Sequence, residues 1–317
     1  MKDRLRIVFF GTPEFAVASL DALVNSDNDV AAVVTAPDKP AGRGLQMNQS
    51  AVKEYALKHG LRVLQPDDLS GSSFVDELKQ INADLQVVVA FRILPREVWS
   101  LPPYGTFNLH SSLLPDYRGA APINRVVING EKMTGVTTFF LEDKVDTGNI
   151  IYQEKTLIGP DETAGSLHDR LMVIGAELVI KTTDAIRAGT ARQVSQHELT
   201  LPDRTLHRAP KIHKEDCRIN WQEDIRSVYN RVRGLSPYPG AFTEIRPGGQ
   251  SLYLKIFRAE PEFTRPVSEP GSWQTDTKIF MKIAAYDGYL NLLEVQLSGR
   301  RPMGIAEFLR GFGKVFS

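Results

Sequence analysis

Short apolar runs alternate with amphipathic stretches along the first half of the chain. Residues 5–10 form an apolar run of the kind that sits in a parallel strand covered on both faces. Thr12 and Pro13 follow as an N-cap and a first-turn proline, and Phe15, Leu20 and Leu23 share one helical face. Residues 30–34 read as a second strand. The spacing predicts a helix over 50–59, with Val52, Tyr55 and Ala56 inward and Gly60 as its stop. A brief strand at 62–64, a helix at 74–80 and a deeply apolar strand at 85–90 continue the alternation. Strands are expected at 105–111, 134–141 and 149–153, a helix at 121–128, and a long helix over 163–188. Leu167, Leu171, Ile174 and Leu178 mark the buried stripe of that long helix.

The pattern then changes. Residues 189–209 are polar and aperiodic and read as a linker. Beyond them come one short helix, marked by Ile225, Val228, Tyr229 and Val232, and alternating segments at 241–245, 252–257, 279–284 and 290–296. Gly, Pro and Asp clusters separate these segments, which fits a barrel such as one of the OB type, with a sandwich as the alternative. The expected architecture is an α/β, doubly wound, mainly parallel sheet at 1–189, a linker at 190–209 and a smaller β-barrel domain at 210–317.

Composition agrees with two ordinary globular domains: 317 residues, 42% hydrophobic and 24% charged. Cys217 is the only cysteine, which excludes an internal disulfide or a cysteine-cluster zinc site; no metal is expected. The basic N-terminus is followed by only four apolar residues, 7–10, and does not read as a signal peptide, so a cytoplasmic protein is expected. Net charge is zero, but from residue 207 onward 17 basic residues face 12 acidic ones. An acidic front and a basic back point weakly to a polyanionic partner.

The first strand-to-helix turn excludes a dinucleotide fingerprint. It has one glycine, Gly11, and Pro13 removes an N–H that a phosphate would use. The candidate chemistry sits at 105–115 instead. Residues two apart on a strand share a face, so Asn108 and His110 project together and Leu109 away. Pro115 ends the strand, which places the pair at its carboxyl end, where open α/β sheets bind ligands. An amide can hold a developing oxyanion and an imidazole can handle a proton near pH 7, a pairing suited to acyl transfer. Asp146, in an acidic turn after a strand, is the candidate to orient or compensate the histidine. Neither G-x-S-x-G nor H-E-x-x-H occurs, and Cys217 reads as a structural thiol.

These motifs resemble the methionyl-tRNA formyltransferases, within the folate-dependent formyltransferase superfamily. The likeness covers nearly the whole chain. It runs from Gly11-Thr12-Pro13 through Pro37-Asp38-Lys39-Pro40-Ala41-Gly42-Arg43-Gly44, the N-x-H-x-S-L-L-P block and Asp146-Thr147-Gly148 to Ser236-Pro237-Tyr238-Pro239-Gly240. The resemblance implies formyl transfer from 10-formyltetrahydrofolate to initiator methionyl-tRNA. It implies Asn108, His110 and Asp146 as the catalytic set, with Ser112, Leu113, Leu114, Pro115, Ala90 and Arg92 toward folate. It implies Arg43 and Lys39, on the long excursion at 35–50, toward the acceptor arm of the tRNA. Arg92 stands where many members carry glycine. Rival readings are a folate formyltransferase acting on a sugar or small amine, and a non-catalytic tRNA-binding protein. Neither membrane nor obligate protein partner is expected.

Overall fold

The computed structural model describes residues 3–41, 46–199, 205–249 and 251–313. By their contacts they fall into two compact units. Unit 1 comprises 1–119, 134–156 and 168–208; unit 2 comprises 120–133, 157–167 and 209–317.

Unit 1 is built from β1 (Arg6–Gly11), α1 (Glu14–Val24), β2 (Asp29–Val34), β3 (Lys39–Ala41), β4 (Gln46–Asn48), α2 (Ala51–Lys58), β5 (Val63–Leu64), α3 (Ser72–Ile81), β6 (Leu85–Val89), α4 (Arg96–Trp99) and β7 (Thr106–His110). After α5 (Pro122–Ile128), which belongs to unit 2, come β8 (Met133–Phe140), β9 (Ile150–Leu157) and α6 (Ala164–Arg187). Seven strands form one sheet in the order β5-β2-β1-β6-β7-β8-β9. The pairs from β5 to β7 are parallel and β8 runs against β7. The chain leaves β1 toward one edge and returns to the other side of it through β6, so the switch point lies between β1 and β6.

Alternation explains the covering of both faces. Val8, Phe10, Ala32, Val34 and Val88 pack with Phe74, Val75 and Leu78 of α3. Ile7 and Phe9, which point the other way, are equally buried. On that face α6 comes very close to β7: a Cβ built at Gly175 would stand 2.6 Å from Leu109 Cδ2. Gly175 therefore fills the stripe position that the spacing gave to Ile174, which is only half-buried. Helix starts also shift slightly. Ser50 caps α2 by accepting from Lys53 N–H at 3.1 Å, whereas the cap of α1 is Pro13, not Thr12, and offers no side-chain hydrogen bond.

The excursion at 35–50 is not simply a loop. Its arms, β3 and β4, pair antiparallel, and its tip with Arg43 lies outside the described residues.

Unit 2 adds α7 (Ile225–Gly234), β10 (Ala241–Ile245), β11 (Leu252–Glu262), β12 (Trp273–Thr275), β13 (Met281–Ala284), β14 (Tyr289–Leu297), β15 (Met303–Gly304) and α8 (Ile305–Phe312). The sheet order is β10-β11-β14-β13-β12, with β15 on β14. Among the described residues no pairing joins β10 to β12, so this antiparallel sheet is a curled half-barrel rather than a closed one. Register shifts in β11 between Ile256 and Ala259 mark where it bends. The buried sides of α7 (Ile225, Val228, Val232) and α8 (Ile305, Phe308, Leu309) complete the core.

Contacts divide the chain differently from the expected boundary, because α5 packs on α7. A Cβ at Gly234 would lie 2.6 Å from Ile128 Cγ1, and Asn124 Nδ2 donates to Gly234 O at 2.8 Å. Cys217 is buried, and burial pushes its thiol above the ordinary value, which keeps it neutral. Among the described residues no helix is long and apolar enough to cross a membrane.

Candidate active site

Asn108 and His110 lie at the carboxyl end of β7, one strand beyond the switch point, with Leu109 turned toward α6. The Asn108 side chain is half-buried, and its amide makes no hydrogen bond with any described residue. It lines a cleft of about 120 Å³ together with Val88, Phe91, Leu94, Trp99 and Asp146. The β7 frame therefore presents an uncommitted amide to one wall, and the turn after β8 presents a carboxylate to another.

His110 is committed elsewhere. Its Nε2 lies 3.0 Å from the carbonyl oxygen of Tyr117. A carbonyl only accepts, so Nε2 carries the proton and Nδ1 is left as the basic nitrogen of the neutral ring. No hydrogen bond joins His110 to Asp146, and His110 is not among the residues lining the Asn108 cleft. The partner expected of the carboxylate is thus a main-chain carbonyl. It is held by an unusual backbone, with Tyr117 at φ 58° and its N–H donating to His207 O at 2.9 Å.

Asp146 also has left-handed backbone, at φ 57°. Its Oδ2 accepts from Gly119 N–H at 3.1 Å. The turn is clamped by Gln196, a residue from the segment read as linker. Gln196 is 2% exposed. Its Nε2 donates to the carbonyl oxygens of Asp146 at 3.0 Å and Gly148 at 2.9 Å. Its Oε1 accepts from Arg118 Nε at 3.1 Å and Nη2 at 2.5 Å. Burial draws the Arg118 guanidinium below its ordinary value, while the negative charge of Asp146 opposes that change. Arg118 and Gln196 were missed in the sequence. Nothing local to Gln196 marks a residue that bridges back 50 positions.

The residues assigned toward folate separate. Arg92 lines the cleft, but its guanidinium reaches away to Pro66 O at 2.7 Å and Asp67 O at 3.0 Å. Ala90 is exposed at φ 48° and begins the same crossing. Ser112, Leu113, Leu114 and Pro115 do not line the cleft. Ser112 is fully buried and donates to Asp116 O at 2.7 Å. Leu114 packs with Phe139 and Ile150, its N–H donating to Thr137 Oγ1 at 3.2 Å and its carbonyl accepting from Gln153 at 2.8 Å. This block holds the turn after β7 in place. Lys39 is exposed on β3. Among the described residues no group of three or more His, Cys, Asp or Glu side chains could hold a metal ion.

An α/β sheet that brings the Asn108 amide and the Asp146 carboxylate to one cleft, with His110 beside Asn108 on β7, suits transfer of an acyl-type group. Residues 5–183 match the family model for formyl transferase, and 211–313 match that for the formyl transferase C-terminal domain. The chain is 48% identical over 312 residues to a methionyl-tRNA formyltransferase of Bacteroides fragilis, covering 98% of this chain and 96% of that protein. It is 50% identical over 311 residues to that of Azobacteroides pseudotrichonymphae, covering 97% and 96%. This chain belongs to the formyl transferase family. Two solved structures share the fold. One is HypX from Aquifex aeolicus in complex with tetrahydrofolic acid, at TM-score 0.65 and 18% identity over 99% of this chain and 48% of that one. The other is an N-formyltransferase from Helicobacter canadensis in complex with folinic acid and dTDP-3-aminofucose, at TM-score 0.64 and 20% identity over 91% and 98%.

Proposed function

We propose that this protein transfers the formyl group of 10-formyltetrahydrofolate to the α-amine of initiator methionyl-tRNA, in the cytoplasm, for translation initiation. The observation that carries the reading is the uncommitted Asn108 amide, half-buried at the end of β7 and facing the cleft it shares with Asp146. The folate supplies an activated one-carbon acyl group, and the aromatic and apolar walls made by Phe91, Trp99 and Val88 fit a flat ring system.

Asn108 donates its N–H to the formyl oxygen as negative charge builds there while the amine nitrogen bonds to the formyl carbon. His110, with Nε2 fixed on Tyr117 O, accepts the proton of the attacking amine at Nδ1 and returns it to the departing folate nitrogen as that C–N bond breaks. Asp146 compensates the positive charge that forms meanwhile. Residues 1–189 act as the catalytic part, 190–209 as the linker and 210–317 as the RNA-binding part. Lys39 and Arg43 reach the acceptor arm, and Arg92 and Ala90 with the 112–115 turn shape the folate side.

The test mixes the purified protein with 10-formyltetrahydrofolate and either charged initiator tRNA, a sugar amine or buffer. Formylmethionyl-tRNA is the expected product. Asn108→Ala should lower its rate about 100- to 1,000-fold, the usual cost of one oxyanion donor, with the fold intact by circular dichroism. Folate turnover without formylated tRNA would move the acceptor to another amine or to water. Full activity in the variant would remove Asn108 from the reaction.

A further inference from the structure

Unit 2 carries an open pocket of about 320 Å³ whose composition the formyl transfer reaction does not explain. Its floor is aromatic. The rings of Phe242 and Tyr253 stack with centroids 4.5 Å apart. Its rim is basic. Lys214 Nζ stands 6.0 Å over the Tyr253 ring, His213 precedes it, and Lys255 reaches in from β11. Lys255 gives one N–H to Pro239 O at 2.7 Å, which leaves two of its three donors for a ligand. Tyr238 also lines the pocket and is 82% exposed, held on a segment with proline on either side.

Among the described residues no carboxylate lines it. The acids nearby are turned to other partners: Asp216 accepts from His213 N–H at 2.8 Å and pairs with Arg125 at 3.3 Å, and Glu244 pairs with Arg218 at 2.6 Å. An exposed aromatic ring beside cations, with acids kept away, is poor design for solubility alone. It suits a ligand that is at once flat and anionic. A nucleotide has both properties: its base offers a face to stack on tyrosine and its phosphate meets ammonium groups. A purely apolar ligand would leave the lysines idle, and an acidic peptide would leave the exposed ring idle.

We infer that this pocket receives one nucleotide of the substrate tRNA, with its base on Tyr238 and its phosphate between Lys214 and Lys255. The inference rests on the reading of the acceptor as tRNA and adds a site to it, remote in sequence from Asn108, His110 and Asp146.

The experiment uses the full chain and initiator methionyl-tRNA. Formylation is measured over a range of tRNA and of 10-formyltetrahydrofolate, and tRNA binding over a range of KCl. Tyr238→Ala should raise KM for the tRNA about 5- to 150-fold, the range that loss of one stacked base gives, and leave kcat and KM for the folate unchanged. Tyr238→Phe keeps the ring and should behave as wild type. Lys214→Ala should lower the slope of log binding constant against log salt by about 0.7 to 0.9. Both side chains are exposed, so neither substitution threatens the fold. Wild-type KM for tRNA in Tyr238→Ala, or equal losses in Tyr238→Ala and Tyr238→Phe, would overturn the inference while the reaction stands. Failure of the wild-type protein to bind or formylate the tRNA would overturn both.

Discussion

Gln196→Ala tests whether the linker segment governs catalysis through the Asp146 turn. Truncation leaves the carbonyl oxygens of Asp146 and Gly148 without the Nε2 donor, and deprives Arg118 of the Oε1 acceptor. A buried polar group that loses its partner costs about 1–3 kcal/mol, but Asp146 and Arg118 are only half-buried, so water replaces part of the loss. About 2 kcal/mol remains as a working figure. Asp146 stands at φ 57°, a left-handed backbone that aspartate tolerates better than most residues, and Gln196 Nε2 bonds the carbonyl oxygen at that turn. If the whole 2 kcal/mol appears as a smaller population of the competent turn, kcat falls about 30-fold. KM for both substrates should stay within about twofold, because Gln196 lines no cleft wall. Gln196→Glu keeps an acceptor for Arg118 but sets carboxylate oxygen against two carbonyls, and should be at least as damaging. Steady-state formylation with circular dichroism on each variant gives the answer. Wild-type kcat in Gln196→Ala, alongside a large loss in Asp146→Asn, would refute the positioning role. No loss in Asp146→Asn would instead remove Asp146 from the reaction.

Two further outcomes follow from the geometry. Gly148→Ala would place a Cβ 1.8 Å from the carbonyl oxygen of Phe140, which is main chain and cannot rotate away. The end of β8 must shift, so urea unfolding should show a loss of about 1–3 kcal/mol together with impaired formyl transfer; a silent variant would mean the turn is loose. Asp216 is held below its ordinary value of 3.8, first by His213 N–H and then by the charge of Arg125. A depressed folded value gives stability that is full above the unfolded value and lost as pH falls through the folded one. Asp216→Asn should therefore lower the unfolding midpoint at pH 7 and converge on wild type as pH falls below 3.8, and a gap that persists through the acid limb would contradict this.

Much of unit 1 is legible in the sequence because its signals are local. An apolar run such as Ile7, Val8, Phe9 and Phe10 is long enough for a strand and too short for a helix, and all four residues are buried. The two-residue period of a strand puts Asn108 and His110 on one face whatever the rest of the chain does. The last helix was equally readable and was missed: Ile305, Phe308, Leu309 and Phe312 repeat at helical spacing. The β-rich character of unit 2 followed from its turn clusters. Whether its sheet closes did not, since closure depends on which edges meet and not on any strand's own pattern.

The partners of the reactive groups belong to tertiary structure alone. Sequence names Asp146 as one acid among many, and only the fold of the chain sets it across a cleft from Asn108, 38 positions earlier. The fold also gives His110 a carbonyl as partner, lends Gln196 to the Asp146 turn and assigns α5 to unit 2. Periodicity reports the environment of a residue along its own element. It carries no information on which distant backbone atom will satisfy a buried donor or acceptor, and here those distant pairings hold the side chains proposed for the chemistry.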